Sequence, residues 1–266
     1  MLTFLLALLH ANPSVGSVSR EGLYRSTSNI LADRVLPENA SIFSTTALPK
    51  NKNLMATIGN GYVAQQVASN TIYISGVYNG NDAYQSKNVA HRARIPSTNS
   101  ISLSFPNYKD TMNEYYTLDI NDAVYFNSYL PRSNIFQVEQ LTFAPRDSKN
   151  ILVTQIYINN SANTNSLQIN LENNAGSKSS DISFSTITCP SGAPSNVTCQ
   201  IGTTLESEAN YSKVTVGIIN TNIPSSGSIT IPAKTIITYY FASVFLTSLE
   251  VDDASTIPAD LVSLYN

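Results

Sequence analysis

Tryptophan is absent from this chain, and cysteine and histidine each occur only twice in its 266 residues. These scarcities exclude several kinds of chemistry. Cys189 and Cys199 have no histidine near them in sequence, so they cannot complete a zinc site, and no metal is expected. His10 falls in a leading apolar run, which leaves His91 as the one histidine for nucleophilic catalysis. No Ser-His-Asp or Cys-His arrangement can form without it, and no G-x-S-x-G elbow is present. Charge is sparse as well. Asp, Glu, Lys and Arg make up 12% of the chain, with a formal net charge of -3, well below the usual quarter. No basic face or Lys/Arg block is visible, so a nucleic-acid partner is not expected. Nor is any apolar run long enough to cross a membrane as a helix. Gly59-Asn60-Gly61 lacks both the lysine of a phosphate-binding loop and the G-x-G-x-x-G spacing. It reads as a tight turn, and no cofactor is expected.

What is abundant points to strands. Polar positions are mostly Ser, Thr and Asn, and 15 Tyr and 9 Phe accompany many Ile, Val and Thr, residues suited to a pleated, half-buried surface. Ile101-Ser-Leu-Ser-Phe105 alternates strictly, placing Ile101, Leu103 and Phe105 on one face. Leu118–Ile120, Val124–Phe126, Ile135–Phe143, Ile151–Ile158, Leu167–Leu171, Val214–Ile219 and Ile236–Phe245 are further strand candidates. The most specific stretch, Leu54–Pro96, adds two apolar-aromatic strands between the Gly59-Asn60-Gly61 turn and a Tyr78-Asn79-Gly80 turn. A dozen or so short strands separated by turn signals predict an all-β fold, a large antiparallel β-sandwich. Only the end differs. Thr256 is a candidate helix N-cap with Pro258 in the first turn. This helix runs barely two turns and is expected to have nothing to pack against, as at a domain boundary.

The expected organisation is a signal peptide over 1–16, an N-terminal extension over 17–40, the sandwich over 41–252 and the start of a helical linker over 253–266. Met1–Leu9 is a short apolar run, and Ser14-Val15-Gly16 fits the small-x-small rule for cleavage. No Lys or Arg precedes the run, so the N-terminus of a cytoplasmic protein is the alternative. A disulfide between Cys189 and Cys199 would close a short loop and suits an oxidising compartment. Four N-x-S/T sequons, at Asn39, Asn159, Asn196 and Asn210, add to a secreted or lumenal expectation.

Candidate functional side chains are few. His91, Arg92 and Arg94 form a basic loop: His91 as a hydrogen-bonding residue, the arginines as donor forks for a carboxylate or for sugar hydroxyls. The same residues could instead hold a loop and pair with acidic side chains of the sheet. A glycosidase needs two carboxyl groups across a scissile bond. Asp119, Asp122, Glu114, Glu139, Asp147, Glu172, Glu206, Glu208, Asp252 and Asp253 are available. Nothing in the sequence pairs any two of them, and no catalytic residue is expected in this chain. Tyr73, Tyr78, Tyr84, Tyr115, Tyr116 and Tyr125 could stack on sugar rings, although tyrosines in strands more often line the core or a sheet face.

Four segments occur in an order that carries a resemblance. They are Ala47-Leu48-Pro49, Leu54-Met-Ala-Thr-Ile-Gly-Asn-Gly-Tyr-Val63, Thr71-Ile-Tyr-Ile-Ser-Gly-Val-Tyr-Asn-Gly80 and His91-Arg-Ala-Arg-Ile-Pro-Ser97. Together they resemble the N-terminal domain of glycoside hydrolase family 65 proteins, most closely its acid-trehalase-like group. The resemblance implies a galactose-mutarotase-like super-sandwich followed by a helical linker and an (α/α) barrel that carries the catalytic carboxylates of an inverting enzyme. It also implies a carbohydrate partner. That partner would hold an α-glucosidic bond, in the glucosyl-galactose unit on collagen hydroxylysine or in a trehalose-like disaccharide. The barrel is not in this sequence, so the chain alone is expected to be inactive. The alternatives are a free-standing carbohydrate-binding sandwich and a structural domain.

Overall fold

A computed structural model describes residues 41–51, 54–80, 90–108, 112–174, 179–207 and 211–266. The expected leader and extension, Asn39, Asn210, Tyr84 and Glu208 lie outside the described residues. Nine strands form one antiparallel sheet. In sheet order they are β1 (Ile42–Thr45), β9 (Met112–Asp119), β10 (Val124–Pro131), β11 (Gln137–Phe143), β12 (Ile151–Asn159), β18 (Ile236–Thr247), β16 (Thr215–Thr221), β15 (Val197–Thr204) and β14 (Ile182–Ile187). Two smaller sheets share its inner face. One has the order β17 (Ser228–Ile231), β13 (Leu167–Asn173) and β8 (Ile101–Ser104); the other β2 (Thr57–Gly59), β3 (Val63–Gln66), β4 (Thr71–Ile74) and β7 (Ile95–Pro96). β5 (Tyr78–Asn79) and β6 (His91–Arg92) pair as a short ribbon. The segment Tyr78-Asn79-Gly80 is therefore strand until Gly80, and not the turn its composition suggests. The all-β, antiparallel sandwich expectation holds.

Alternation decides which side chains enter the core. In the four-stranded sheet Ile58, Val63, Ile72 and Ile74 pack against Leu152, Val216, Ile218 and Phe245 of the large sheet. In the three-stranded sheet Leu167, Ile169, Leu171 and Ile231 pack against Val138, Ile156, Ile158 and Phe241. Each fully buried side chain of this size contributes about 1.5–3 kcal/mol relative to exposure. The interior thus holds two apolar clusters, one beneath each small sheet.

From Phe241 to Thr247 β18 is buried on both faces, which is why this half reads in sequence as a nearly continuous apolar run. Phe241 and Phe245 face the small sheets, whereas Ala242, Val244 and Leu246 face a helix, α1 (Ile257–Tyr265). This corrects the expectation of a helix with nothing to pack on. Ile257, Leu261, Val262 and Tyr265 are all buried against the outer face of β16 and β18, a spacing that puts them on one helical stripe. The sequence could not show this, because the receiving surface exists only once β18, just upstream of the helix, pairs with β16, which is distant in sequence. Close approach needs Gly217. A β-carbon there would sit 2.4 Å from Ile257 Cγ2 and 2.7 Å from Leu261 Cδ1. Thr256 is the N-cap residue but makes no capping hydrogen bond; its hydroxyl bonds Asp260 at 2.6 Å, while Asp253 caps the preceding 3-10 turn. Cys189 and Cys199 are paired. The loop they close lies against α1, and Asn266 Nδ2 donates to Gly192 O at 3.1 Å.

Candidate functional site

Most of the central stretch is fastened to distant parts of the sandwich by its polar side chains. Gly59-Asn60-Gly61 turns the β2–β3 hairpin, with Gly61 at φ +91°. Asn60 Oδ1 accepts the N–H groups of Tyr62 and Val63, and its Nδ2 donates to Pro145 O at 2.8 Å and Lys149 O at 3.0 Å. Beside it the Tyr62 hydroxyl donates to Glu250. Lys149 Nζ lies 3.0 Å from Glu250 Oε1 and 4.9 Å above the Tyr62 ring, and Asn150 Nδ2 and Thr247 N also donate to this carboxylate. Burial alone would raise the Glu250 carboxyl, but the donors from Tyr62, Asn150, Lys149 and Thr247 outweigh it and hold it below its ordinary range. Burial, then the neighbouring carboxylate, pushes the Tyr62 hydroxyl well above its ordinary value.

The basic loop converges on Asp181, at the entry to β14. Arg94 grips it with two prongs, Nε to Oδ2 at 2.8 Å and Nη2 to Oδ1 at 2.9 Å, and the Arg94 N–H donates to Oδ2 at 2.9 Å. His91 Nε2 lies 3.2 Å from Oδ1. The carboxylate is 2% exposed, the Arg94 side chain 51%. Above all the Arg94 guanidinium holds the Asp181 carboxyl well below the carboxylate range. Two of the three expected loop residues therefore meet on one carboxylate, as a clamp between loop and sheet edge. Arg92 is not brought to it; it is exposed on β6 opposite Tyr78. Asn79 adds a further tie, accepting the Glu206 N–H at 2.8 Å. Asp181 and Glu250 are the acidic residues that sequence reasoning missed. No local signal marks them, since their partners lie 87 and 188 residues away.

The carboxylates singled out in the sequence are scattered. Asp119 caps its turn by accepting the N–H groups of Asn121 and Asp122. Asp147, Glu172, Glu206 and Asp252 are exposed, and Asp253 caps the turn before α1. Glu114 accepts from Tyr116 at the mouth of a cavity, and buried Glu139 accepts from Gln137. The carboxyls whose ionisation is displaced, Asp181, Glu250 and Asp253, are all displaced downward. Among the tyrosines, Tyr125 is core, and Tyr73, Tyr78, Tyr115 and Tyr116 are half-buried. Among the described residues no cluster of His, Cys, Asp and Glu could hold a metal ion.

A polar seam crosses the interior between the two apolar clusters. Its middle is filled by the segment between β7 and β8, where Asn99 Nδ2 donates to Leu152 O at 2.9 Å and Ser243 Oγ donates to Asn99 Oδ1. Thr154 Oγ1 donates to Asn99 O at 3.0 Å, and Thr98 shares a hydrogen bond with Ser243. On either side lies a cavity. The larger, about 610 Å³, is lined by Asn196, Asn220, Asn222, Tyr239 and Phe241 among others. Among these, the sequon residue Asn196 has its Nδ2 buried and without a protein partner. Asn159, by contrast, accepts from Ser161 of its own sequon at a part-exposed strand end.

No protein-family model matches the chain. In sequence it is similar to the protein-glucosylgalactosylhydroxylysine glucosidase of Dictyostelium discoideum, 29% identical over 232 residues, which covers 83% of this chain and 31% of that protein. The proteins of the same name from Mus musculus and Gallus gallus are 32% and 29% identical over 121 and 127 residues, covering 46% and 48% of this chain. These matches take in 16% and 17% of the two relatives. The chain thus spans about a third or less of the length of the curated relatives it matches. In fold it is similar to a solved structure described as a kojibiose phosphorylase from the human microbiome, with TM-score 0.51, 11% identity, and 85% of this chain and 37% of that one covered. These similarities, to protein-glucosylgalactosylhydroxylysine glucosidases in sequence and to the kojibiose phosphorylase in fold, agree with the resemblance to the N-terminal domain of glycoside hydrolase family 65 proteins read from the four segments.

Proposed function

We propose that this chain is the non-catalytic β-sandwich part of a secretory glycosidase that hydrolyses an α-glucosidic bond, in the glucosyl-galactose unit of collagen hydroxylysine or a trehalose-like disaccharide. The similarity to glucosidases along 83% of the chain carries this reading. The state of its carboxylates supports a catalytic centre supplied elsewhere. An inverting glycosidase needs one carboxylic acid held protonated and a second carboxylate roughly 6.5–9.5 Å away to activate water. Asp181 and Glu250 are both held ionised, so neither is the protonated acid, and both are occupied by cations and N–H donors. They position the His91 loop and the Asn60 turn. The Cys189–Cys199 disulfide accords with an oxidising compartment.

The test is glucose release from glucosyl-galactosyl-hydroxylysine and from trehalose, by the 266-residue chain and by the natural protein isolated from its source. The chain is expected to release none and the natural protein to hydrolyse the first substrate. Turnover by the chain that is lost on substituting one of its own Asp or Glu residues would overturn the non-catalytic role. No glucose release by the natural protein would overturn the glucosidase.

A further inference from the structure

The second cavity of the polar seam, about 210 Å³, lies where β9, β10 and β11 form the floor. Alternation should place apolar residues on this inner face, and it does so on both sides. Tyr125 belongs to one apolar cluster, Tyr129 and Val138 to the other. Between them Tyr116, Asn127 and Gln140 stand directly opposite one another on three successive strands. Cross-strand neighbours of this kind are about 5 Å apart. The result is a row of one phenol and two amides across the middle of a hydrophobic sandwich. Gln65 of β3 faces the same cavity from the opposite layer.

The two glutamine side chains are held by their nitrogens. Gln140 Nε2 donates to Ile101 O at 2.7 Å, and Gln65 Nε2 donates to Ser69 O at 3.1 Å and Ser97 Oγ at 2.6 Å. Because both donate to backbone carbonyls, their orientations are fixed. Gln65 Oε1, Gln140 Oε1 and Asn127 Oδ1 are left buried without a protein partner. Leaving such an acceptor unsatisfied costs about 1–3 kcal/mol. The contrast within the seam is informative: where the Thr98–Asn99 segment fills it, the polar side chains satisfy one another. Where the cavity opens, the acceptors of Gln65 and Gln140 remain, with the Asn127 amide beside them. Its Nδ2 lies 3.4 Å from the Tyr129 hydroxyl, a group that can donate or accept, so Asn127 can present either its acceptor or its donor.

We propose that this cavity is a binding site for a single neutral pyranose unit. Two fixed carbonyl acceptors and one amide able to donate or accept call for a ligand rich in hydroxyls. The volume equals about seven waters at roughly 30 Å³ each, space for one sugar ring. The half-buried Tyr116, at the end of the row, lines the cavity with an aromatic ring, the usual apolar partner of a sugar's C–H face. Glu114 at the mouth, holding the Tyr116 hydroxyl, repels anions, so a sugar phosphate is disfavoured against the free sugar. The hydroxyl-rich chemistry stands on the cavity alone; the choice of a glucosyl or galactosyl ring rests on the function proposed above.

The experiment is saturation-transfer NMR with calorimetric titration of the 266-residue chain, using methyl α-glucoside, glucosyl-galactose and glucose 6-phosphate. Saturable binding of the neutral sugars is expected, weaker for the phosphate. Gln140→Leu should weaken it about tenfold, the loss of one buried hydrogen bond. Tyr116→Ala should do likewise, and lies near enough to the surface to keep the fold should Gln140→Leu prove unstable. Asn222→Ala, in the larger cavity, should leave binding unchanged. Absence of saturation with both neutral sugars, or binding that survives both cavity variants, overturns the site. So does a preference for the phosphate. Glucose release by the natural protein alongside a chain that binds no sugar would remove the site and leave the glucosidase standing; sugar binding without such release would do the reverse.

Discussion

At the scale of single residues, the basic loop shows how the same side chains can carry two meanings until their partner is known. Arg94 and His91 could have met a ligand carboxylate; they meet Asp181. The asymmetry of exposure sets the consequence of breaking the clamp. Arg94→Ala removes the guanidinium from a carboxylate that stays buried, and is expected to lower stability by about 1–3 kcal/mol, discounted for the exposed partner. Arg94→Lys should recover only part, because a point charge replaces a two-pronged fork. Arg92→Ala should change little. Urea midpoints of the three variants decide this, and equal losses at 92 and 94 would contradict the clamp. The acid response follows from the same contacts. Asp181 and Glu250 have folded-state values below their unfolded ones, so the unfolded chain binds more protons as the solution turns acid. Their contribution is fully present above about pH 5 and is lost as pH falls through and below about 4. Asp181→Asn should flatten this acid limb in a urea midpoint series against pH. An unchanged limb would mean the carboxylate is not held low.

At the scale of elements, the contact between α1 and the large sheet is set by one missing side chain. Gly217→Ala places a methyl where Ile257 and Leu261 already stand, and overpacking of this kind costs about 1–3 kcal/mol. Leu261→Ala leaves a cavity instead, at about 2–5 kcal/mol. Both should raise the protease sensitivity of the C-terminal segment before the sandwich melts. A Gly217→Ala variant with wild-type stability and wild-type proteolysis would mean that the helix does not dock as described. The disulfide acts on the same corner of the molecule. Its bridged cysteines are 10 residues apart, and closing a loop of that size is worth about 2–3 kcal/mol by chain entropy. Reduction, or Cys189→Ser with Cys199→Ser, should lower the urea midpoint accordingly and loosen the helix that rests on the loop.

At the scale of the whole molecule, the three-sheet architecture explains why a polar seam exists. Two small sheets cover one large one, each above its own apolar cluster, and the line between them has no strand to supply apolar cover. Polar side chains occupy that line, satisfied in the middle by Asn99 and Thr98 and open at either side. The two readings of this protein, part of a glucosidase and binder of a sugar ring, fall at this level, because both depend on what the sandwich presents as a unit.

Strand character, the antiparallel sandwich, the Gly59-Asn60-Gly61 turn, the pairing of the only two cysteines and the likeness of four segments to a known family can all be read from the order of residues. These are legible because period-two alternation, turn chemistry and motif order are local properties of neighbouring residues. Tertiary structure decided that Arg94 takes Asp181, that Tyr62 takes Glu250, that α1 rests on Gly217, and that Tyr116, Asn127 and Gln140 fall into register. Each joins positions far apart in the chain, in loops, turns, strands and the helix, and such partners meet only when the core faces are buried together and fix the register between strands. Gln140 in its own strand, between Glu139 and Leu141, looks like any other polar residue. Only the pairing with β10 and the cover from β3 place it inside, facing a cavity.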